Sequence, residues 1–244
     1  MDETWGAEAA RVYDTPGTGM FAPDLLDVTT DFLAELAGAG RALEFAVGTG
    51  RVAIPLAGRG VPVTGIELAP AMVDRLRDKA DELTVPVVLG DMTEIRVQGE
   101  FTLVYLVYNT ISNVLTQDAQ IACFRNAARH LAPGGHFVVE LWVPDLRALP
   151  PGREAVVWRA DADHLGLDTY DVVDQMVVSH HVRTDARGTT TLARSTHRYV
   201  WPAELDLMAR LAGLTPCARY ADWSRAPFTA DSASHVSVYR APDR

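Results

Sequence analysis

The sequence predicts an α/β protein with a doubly wound, mostly parallel sheet of seven strands, interrupted after the fifth strand by an antiparallel β insertion. Three observations support this prediction. Strands that are apolar on both faces alternate with amphipathic helices, which is typical of a parallel sheet covered by helices. A glycine-rich turn joins the first of these strands to a helix. Beyond Pro144 the pattern changes to successive strands with tight turns, which favours antiparallel pairing.

The chain before the first strand is predicted to be mainly helical. Residues 5–13 can form a short helix, and residues 14–22 contain the proline, glycine and threonine residues of a loop. Pro23 suits the first turn of an amphipathic helix over residues 24–37. We therefore expect residues 1–40 to form an N-terminal helical cap.

Strands and helices then alternate through residues 41–143, the predicted cofactor-binding core. The predicted strands are 42–46, 62–66, 86–90, 101–107 and 134–142. The predicted helices are 50–58, 70–82 and 117–131. A sheet wound in this way binds ligands at the carboxyl ends of its strands. Three acids, Glu44, Glu67 and Asp91, fall at such ends and are expected to converge there.

Residues 144–200 are predicted to form a lid or a dimer surface, because the segment is too short for an independent domain. It begins with a proline-rich connector and continues with four extended segments, 154–160, 166–173, 175–184 and 189–200. The core resumes in residues 201–244. There the sequence predicts a helix opened by Trp201-Pro202 and two final strands, near 214–220 and 234–240.

Composition narrows the class of partner. The 244 residues are 48% hydrophobic and 22% charged, which is enough to bury a substantial core. A net charge of −10 disfavours nucleic acid and anionic membranes, because phosphate binding needs a basic surface. The two cysteines, Cys123 and Cys217, form no metal-binding spacing, and no metal is expected. Without an evident signal peptide or an apolar run of membrane-spanning length, a cytoplasmic location is expected.

The turn after the first strand, within Ala-Leu-Glu-Phe-Ala-Val-Gly-Thr-Gly-Arg (residues 42–51), is suited to two competing nucleotide cofactors. NAD is favoured by Gly48-Thr-Gly-Arg-Val-Ala53, which satisfies the G-x-G-x-x-G/A pattern, and by Glu67 at nearly the spacing of a ribose-binding acid. Against NAD, the carboxylate of Glu44 suits a cofactor that presents a cation, such as the ammonium of a methionine moiety. The Tyr-x-x-x-Lys pair common in dehydrogenases is also impossible, because Lys79 is the only lysine.

Several segments together resemble the class I S-adenosylmethionine-dependent methyltransferases. Glu44-Phe-Ala-Val-Gly-Thr-Gly-Arg51 resembles motif I of that family, except that Ala46 replaces its first glycine. The other matching segments are Val63-Thr-Gly-Ile-Glu67, Gly90-Asp91-Met92, Arg129-His-Leu-Ala-Pro-Gly-Gly135 and Phe137-Val-Val-Glu140. The resemblance covers roughly residues 8–142 in order, and more loosely 197–240. It implies a Rossmann-like methyltransferase fold whose last two strands form a hairpin, one of them antiparallel to the rest.

The resemblance also implies the roles of residues in the first glycine-rich turn. Glu44 is expected to contact the methionine ammonium of S-adenosylmethionine. The backbone at Ala46, Gly48 and Gly50 is expected to line the cofactor, since glycine permits positive φ and close approach to bare peptide. Arg51 opens the following helix, where it either reaches the carboxylate of the cofactor or lies on the surface.

The next two strands carry the residues that the resemblance assigns to the adenosine. Glu67 is expected to accept hydrogen bonds from both ribose hydroxyls, a geometry that one carboxylate satisfies well. Leu68 would pack on the adenine. Asp91 would accept from the adenine amino group, and Met92 would pack on the ring.

Three further positions are expected at the mouth of the cleft. The backbone of Val107 or Tyr108 would flank the cofactor, and Asn109 would touch cofactor or substrate. Tyr13 resembles the N-terminal tyrosine that closes over the cofactor in amino-sugar N-methyltransferases, although a packing role is an open alternative.

The catalytic group is left unassigned by the sequence. Transfer to oxygen usually needs a base, whereas transfer to an amine needs only a neutral lone pair. His180 and His181 are adjacent in a predicted strand and therefore face opposite sides, so at most one readily reaches a given pocket. The candidates are Tyr13, Asn109, His180 and His181.

The predicted function is transfer of a methyl group from S-adenosylmethionine to an oxygen or nitrogen of a small metabolite, such as a natural-product intermediate. S-adenosylhomocysteine would be the second product, and no metal is required. A homodimer through residues 144–200 is a further expectation. Three alternatives stay open: a non-methylating rearrangement with the cofactor kept structurally, a non-catalytic cofactor-binding module, and NAD-dependent oxidoreduction.

Overall fold

A computed structural model of the chain describes residues 6–243. The predicted helix over 5–13 is present as α1, Ala7–Tyr13, and residues 1–5 of the predicted cap lie outside the described part. A short 3-10 helix, Gly19–Phe21, precedes α2, Pro23–Ala37. Pro23 occupies the first turn of α2, as predicted, and Gly38 ends the helix with φ 56°.

Among the described residues, eleven strands and four further α-helices follow α2. The strands are β1 (Ala42–Phe45), β2 (Val63–Glu67), β3 (Val87–Leu89), β4 (Phe101–Leu106), β5 (Leu131–Trp142), β6 (Ala155–Ala160), β7 (His164–Asp171), β8 (Met176–Thr184), β9 (Thr190–Arg198), β10 (Thr215–Tyr220) and β11 (Ser234–Arg240). The helices are α3 (Ala53–Gly58), α4 (Pro70–Arg77), α5 (Gln117–His130) and α6 (Pro202–Leu211).

Seven strands form the main sheet in the order β10-β11-β5-β4-β1-β2-β3. Strand β11 is antiparallel to both of its neighbours, β10 and β5, while the pairs among β1 to β5 are parallel. The predicted seven-stranded, mostly parallel sheet and its C-terminal hairpin are thus confirmed. The strand order reverses between β1 and β4, and such a switch point opens a crevice at the carboxyl ends of the strands.

Helices cover both faces of the main sheet, which explains why its strands are apolar on both faces. On one face Leu103 and Tyr105 of β4 pack in a core with residues of α2, α3 and α4. On the other face Val104 and Leu106 pack in a second core with residues of α5 and α6. Alternate residues of one strand therefore lie in two different cores.

The remaining strands form a separate antiparallel sheet in the order β6-β7-β8-β9, which we call the second sheet. The predicted antiparallel insertion is thus confirmed. Arg198, at the end of β9, attaches this sheet to the core. Its buried guanidinium donates to Oε1 of Gln120 on α5 at 2.6 Å and to Oε1 of Glu204 on α6 at 2.8 Å. The division of the chain into four parts stays a prediction.

Two predicted helices are shorter than expected. The helix over 50–58 begins only at Ala53, because Gly50 has φ 80° and cannot continue a right-handed helix. The helix over 70–82 ends at Arg77, whose guanidinium donates to the carbonyl oxygen of Val85 while the chain turns towards β3. Within residues 6–243 we find no helix that is both long and apolar enough to cross a bilayer.

Candidate functional site

A cavity of about 440 Å³ lies at the carboxyl ends of β1 and β4, between the main sheet and the second sheet. Its volume falls within the range of small-molecule sites. The main sheet and its turns contribute one wall, which includes Ala46, Gly48, Glu67, Tyr108 and Asn109. Strands β7, β8 and β9 contribute the facing wall, which includes Asp168, Tyr170, Val177, Ser179, His181, Ser195 and His197.

The turn after β1 presents backbone to the cavity. Gly48 and Gly50 have φ 55° and 80°, so the predicted positive φ at both glycines is observed. A Cβ at Gly50 would lie only 2.8 Å from the Ile54 side chain, so this position also needs glycine for space. Ala46 has φ 54°, a left-handed conformation that costs a non-glycine residue about 1–2 kcal/mol. Ala46 and Gly48 line the cavity, whereas Gly50 does not.

Glu67 closes the end of β2 and faces the same cavity. Its Oε2 accepts from the backbone N–H of Gly48 at 2.8 Å, and its Oε1 accepts from that of Ala69 at 2.9 Å. Burial raises the pKa of the carboxyl above its ordinary 4.5, and the hydrogen bonds from Ala69 and Gly48 oppose this rise. The two bonds orient the carboxyl group and link the β1 turn to the β2 turn.

Glu44 lies beneath the cavity rather than in its wall. The residue is 2% exposed, and its Oε2 accepts from the hydroxyl of Tyr105 at 2.9 Å. Burial raises the pKa of Glu44 to about 8, although the Tyr105 hydrogen bond and the nearby Arg51 cation both favour ionisation. Glu44 is therefore mainly protonated at neutral pH in the ligand-free protein, and its predicted contact with an ammonium group stays a prediction.

The turn after β4 is shaped by two consecutive left-handed residues. Tyr108 has φ 52° and Asn109 has φ 65°, a rare conformation for non-glycine residues that clusters at functional sites. The side chain of Glu140 on β5 holds the turn by accepting from the Tyr108 backbone N–H at 2.7 Å. The Asn109 Oδ1 accepts from the Trp142 backbone N–H at 2.8 Å. Asn109 thus lines the cavity, and its side-chain oxygen is already hydrogen-bonded to the backbone of β5.

The N-terminal segment covers this part of the cavity. Tyr13 lines the cavity and makes an edge contact with Phe21, and burial raises the pKa of its hydroxyl to about 12. Asp14, the next residue, accepts from Thr49 Oγ1 at 2.6 Å and from Lys79 Nζ at 2.7 Å. Asp14 therefore ties the segment to the glycine-rich turn and to the region after α4.

Arg51 lies behind the glycine-rich turn and contacts the N-terminal segment. Its guanidinium donates to the Met20 carbonyl oxygen at 3.0 Å and lies 5.4 Å from the centre of the Tyr108 ring. Such a position is compatible with a cation–π contact. Arg51 and Val107 are not part of the cavity wall, although both lie next to residues that are.

The residues predicted to hold adenine are not part of the cavity wall. Leu68 is 68% exposed, which leaves its side chain available for a ligand. Asp91 is exposed, and its Oδ1 accepts from the backbone N–H and hydroxyl of Thr93. Met92 is buried in the core, and its carbonyl oxygen accepts from Asn126. The structure does not bring these three residues together with Glu67 in one enclosed space.

The wall formed by the second sheet was largely missed by sequence reasoning. Only His181 of its cavity-lining residues was a candidate, and it lies against His164 with the two rings stacked at 5.3 Å. His180 faces the opposite side of β8, where it contacts Thr169 and Arg194. The period-two pattern of β7, β8 and β9 signals two faces, but no local signal shows which face is turned towards the core.

The charge of the cavity is negative. Among the described residues that line it, the charged side chains are the acids Glu67 and Asp168, and neither Arg nor Lys is among them. Burial lowers the pKa of His181 and of His197 below the ordinary 6.5. Both imidazoles are therefore neutral at pH 7, and the cavity favours cationic or hydroxylated ligands over anionic ones.

Comparison with known proteins places residues 42–135 in a family described as a methyltransferase domain. The chain is 39% identical to the CcbJ methyltransferase from Streptomyces caelestis, with a TM-score of 0.87 and coverage of 99% of this chain and 100% of that one. It is 29% identical to the cypemycin N-terminal methyltransferase of Streptomyces sp over 208 residues, 80% of this chain and 81% of the relative.

A more distant likeness concerns the fold alone. The S-adenosylmethionine-bound structure of CalS10, an amino pentose methyltransferase from Micromonospora echinaspora involved in calicheamicin biosynthesis, has a TM-score of 0.70 at 22% identity. The match covers 96% of this chain and 94% of that one, so it extends over the second sheet as well as the main sheet.

Proposed function

The chain belongs to the S-adenosylmethionine-dependent methyltransferases, and from this premise we propose that it methylates an amine nitrogen of a small natural-product intermediate. S-adenosylmethionine is the methyl donor and S-adenosylhomocysteine is released. Nitrogen is favoured over oxygen by the relatives, since the cypemycin enzyme is named an N-terminal methyltransferase and CalS10 an amino pentose methyltransferase. The acidic cavity supports the same choice, because an amine reaches it as a cation.

The residues that would hold the donor have suitable chemistry. Glu67 faces the cavity with both carboxyl oxygens already oriented by backbone N–H groups, and its remaining lone pairs suit two neighbouring ribose hydroxyls. A Cβ at Gly48 would meet nothing closer than the Ala46 carbonyl oxygen at 4.0 Å, so there is open space beside bare peptide. This placement of Glu67 and Gly48 in one cavity, facing the polar wall of the second sheet, is the observation that carries the proposal.

The remaining cofactor assignments are also proposals. Ala46 and Tyr13 would line the methionine moiety, with Glu44 beneath it, while Gly50, Arg51 and Val107 support the turns that do so. The exposed side chain of Leu68 would pack on adenine, and the exposed Asp91 would accept from its amino group, while the buried Met92 would support this region from the core. Tyr108 would contribute its backbone.

A bound donor supplies an electrophilic methyl group on a sulfonium, so the protein mainly has to orient the acceptor and exclude water. The second sheet supports both tasks, since it closes the cavity opposite Glu67 and supplies polar side chains. The acceptor would lie between Tyr108 and the strands β8 and β9. Asn109, with its side-chain oxygen bonded to β5, would shape the cavity rather than react.

Two measurements test the proposed function. Calorimetric titration with S-adenosylhomocysteine and with NAD is expected to show binding of the first alone. Incubation with donor labelled in the methyl group and a panel of amines is expected to transfer the label, detected by mass spectrometry. Binding without transfer to any amine or hydroxyl acceptor would favour a non-catalytic module or a rearrangement. Binding of NAD alone would contradict the proposal.

We also propose a homodimer through the outer face of the second sheet. Leu165, Val182 and Leu192 lie side by side on this face, and the two leucines are exposed. Light scattering should give twice the monomer mass for the wild type and the monomer mass for Leu192→Glu.

A cytoplasmic location is also proposed, as expected for an acidic protein with two unpaired cysteines.

A further inference from the structure

We propose that Ser195 and His197 accept the proton of a substrate amine that enters the cavity as an ammonium, with Asn113 as a positioning residue and Asp168 as the compensating charge. This proposal rests on the proposed function, and it assigns both the proton acceptor and the charge class of the substrate. The four residues belong to two strands of the second sheet, β7 and β9, and to the 3-10 helix Thr110–Asn113.

Hydrogen bonds on both sides of the imidazole define its tautomer. Nδ1 of His197 lies 3.0 Å from Oδ1 of Asn113, and Nε2 lies 2.9 Å from Oγ of Ser195. An amide oxygen only accepts, so Nδ1 carries the hydrogen. Nε2 of the neutral ring then has a free lone pair and accepts the Ser195 hydroxyl hydrogen. The lone pairs of Ser195 Oγ are left for a substrate N–H, since Ser195 and His197 both line the cavity.

Asp168 provides a negative charge on the same face of the second sheet. Register places Asp168 opposite Ser179, and Ser179 opposite Ser195, so the three residues form a row across β7, β8 and β9. Oδ1 of Asp168 accepts from Trp158 Nε1 at 2.9 Å and from Ser179 Oγ at 2.6 Å. Both donors are neutral and hold the carboxylate without cancelling its charge. Asp168 therefore stabilises a cation in the cavity, first the substrate ammonium and then a protonated His197.

The charged and titratable groups around His197 support its role as an acceptor. Burial is the main cause that lowers the pKa of His197, the carboxylate of Asp168 on β7 opposes this effect, and His181 on β8 adds to it. Asn113 on the 3-10 helix is neutral. The imidazole is therefore neutral at pH 7 and can accept a proton. Once the ring is protonated, the negative charge of the Asp168 carboxylate stabilises it.

The proton balance of the reaction follows directly. The ammonium passes one proton to Ser195 Oγ while the Ser195 hydroxyl proton moves to Nε2 of His197. The amine lone pair then forms the N–CH3 bond, and the S–CH3 bond breaks with its electron pair remaining on sulfur. His197 finally returns its proton to solvent.

A second consequence concerns specificity: with two acids and no cation among the described lining residues, the cavity disfavours amines that carry a phosphate.

The kinetic test compares His197→Ala and Ser195→Ala with Thr196→Ala, a matched control on the opposite face of β9. Probe acceptors are alaninamide, prolinamide, glucosamine and glucosamine 6-phosphate. We expect the kcat of His197→Ala to fall about 100-fold, within the usual range for loss of an acid–base group. Exogenous imidazole should restore part of this loss, and the affinity for S-adenosylhomocysteine should be unchanged. Glucosamine 6-phosphate should be a poorer acceptor than glucosamine.

The pH dependence separates a proton acceptor from a packing role. The pKa of His197 lies below the ordinary histidine pKa of 6.5. Wild-type kcat should therefore be independent of pH above about pH 6.5 and should fall at lower pH, where His197 becomes protonated. For His197→Ala, kcat should rise about tenfold per pH unit through the neutral range, because only the minor free-amine form then reacts. The result that would overturn the proton relay is a His197→Ala variant whose kcat and pH profile match those of the wild type on an amine that the enzyme methylates. That result would leave the proposed function intact.

A readout independent of turnover is the tautomer of His197. In protein labelled with ¹⁵N-histidine, the neutral ring should carry its hydrogen on Nδ1, and Asn113→Ala should shift it towards Nε2. A ring protonated on Nε2 in the wild type would contradict the relay. Failure of every probe to be methylated would count against the proposed function, while the tautomer would still decide the relay.

Discussion

Glu44 offers a prediction about stability that can be worked from the structure. The carboxyl group is buried under the cavity and bonded to Tyr105, and its pKa in the folded protein is about 8. In the unfolded chain the value returns to about 4.5. Between these two values the folded protein holds a proton that the unfolded chain has lost. The free energy of unfolding therefore decreases as pH rises from about 4.5 to about 8, and it levels off above.

The magnitude follows from the separation of the two pKa values. At about 1.36 kcal/mol per pKa unit, a change from 4.5 to about 8 corresponds to roughly 5 kcal/mol. Glu44→Gln removes the ionisation, while its amide oxygen can still accept the Tyr105 hydroxyl. We therefore expect the unfolding free energy of Glu44→Gln, relative to wild type, to rise by about 3–5 kcal/mol between pH 4.5 and pH 9.

Urea unfolding monitored by tryptophan fluorescence, at half-unit steps of pH and without cofactor, measures this difference. Tyr105→Phe is the matched control, because it removes the hydrogen bond and keeps the carboxyl group. In that variant the alkaline loss of stability should persist. A difference between Glu44→Gln and wild type that does not vary with pH would refute the reasoning, since it would mean that Glu44 ionises in the folded protein as it does in the unfolded chain.

Three further changes have definite expected outcomes. Glu67→Ala should weaken S-adenosylhomocysteine binding by about 1.5–3 kcal/mol in calorimetry, the scale of hydrogen bonds to a charged group, while Asp231→Ala on an exposed loop leaves it unaltered. Ala46→Gly should raise stability by about 0.5–1 kcal/mol in thermal unfolding, because φ 54° strains alanine, whereas Ala122→Gly inside α5 should lower it. Asp14→Ala should speed hydrogen exchange across α1 by breaking the contacts with Thr49 and Lys79; equal protection in both proteins would contradict that role.

The elements of the core could be predicted closely from the sequence. Strand β1 was expected over 42–46 and occupies Ala42–Phe45, and the predicted helix over 117–131 is present as Gln117–His130. Both depend on periodicity among residues near one another in the chain. The structure adds that the side chain of Thr116 caps α5. The predicted helix over 70–82 is too long: α4 ends at Arg77, and no glycine or proline in residues 78–82 marks that end in the sequence.

The sequence by itself determined the order of strands and helices, the glycine-rich turn and the acid at the end of β2. Tertiary structure alone decided the chemistry of the facing wall. His197 meets Asn113, 84 residues away, only because β9 packs on the 3-10 helix, and Tyr105 meets Glu44 only because β4 pairs with β1. Periodicity is a property of neighbouring residues, whereas pKa values and tautomers depend on partners that folding brings together from distant parts of the chain.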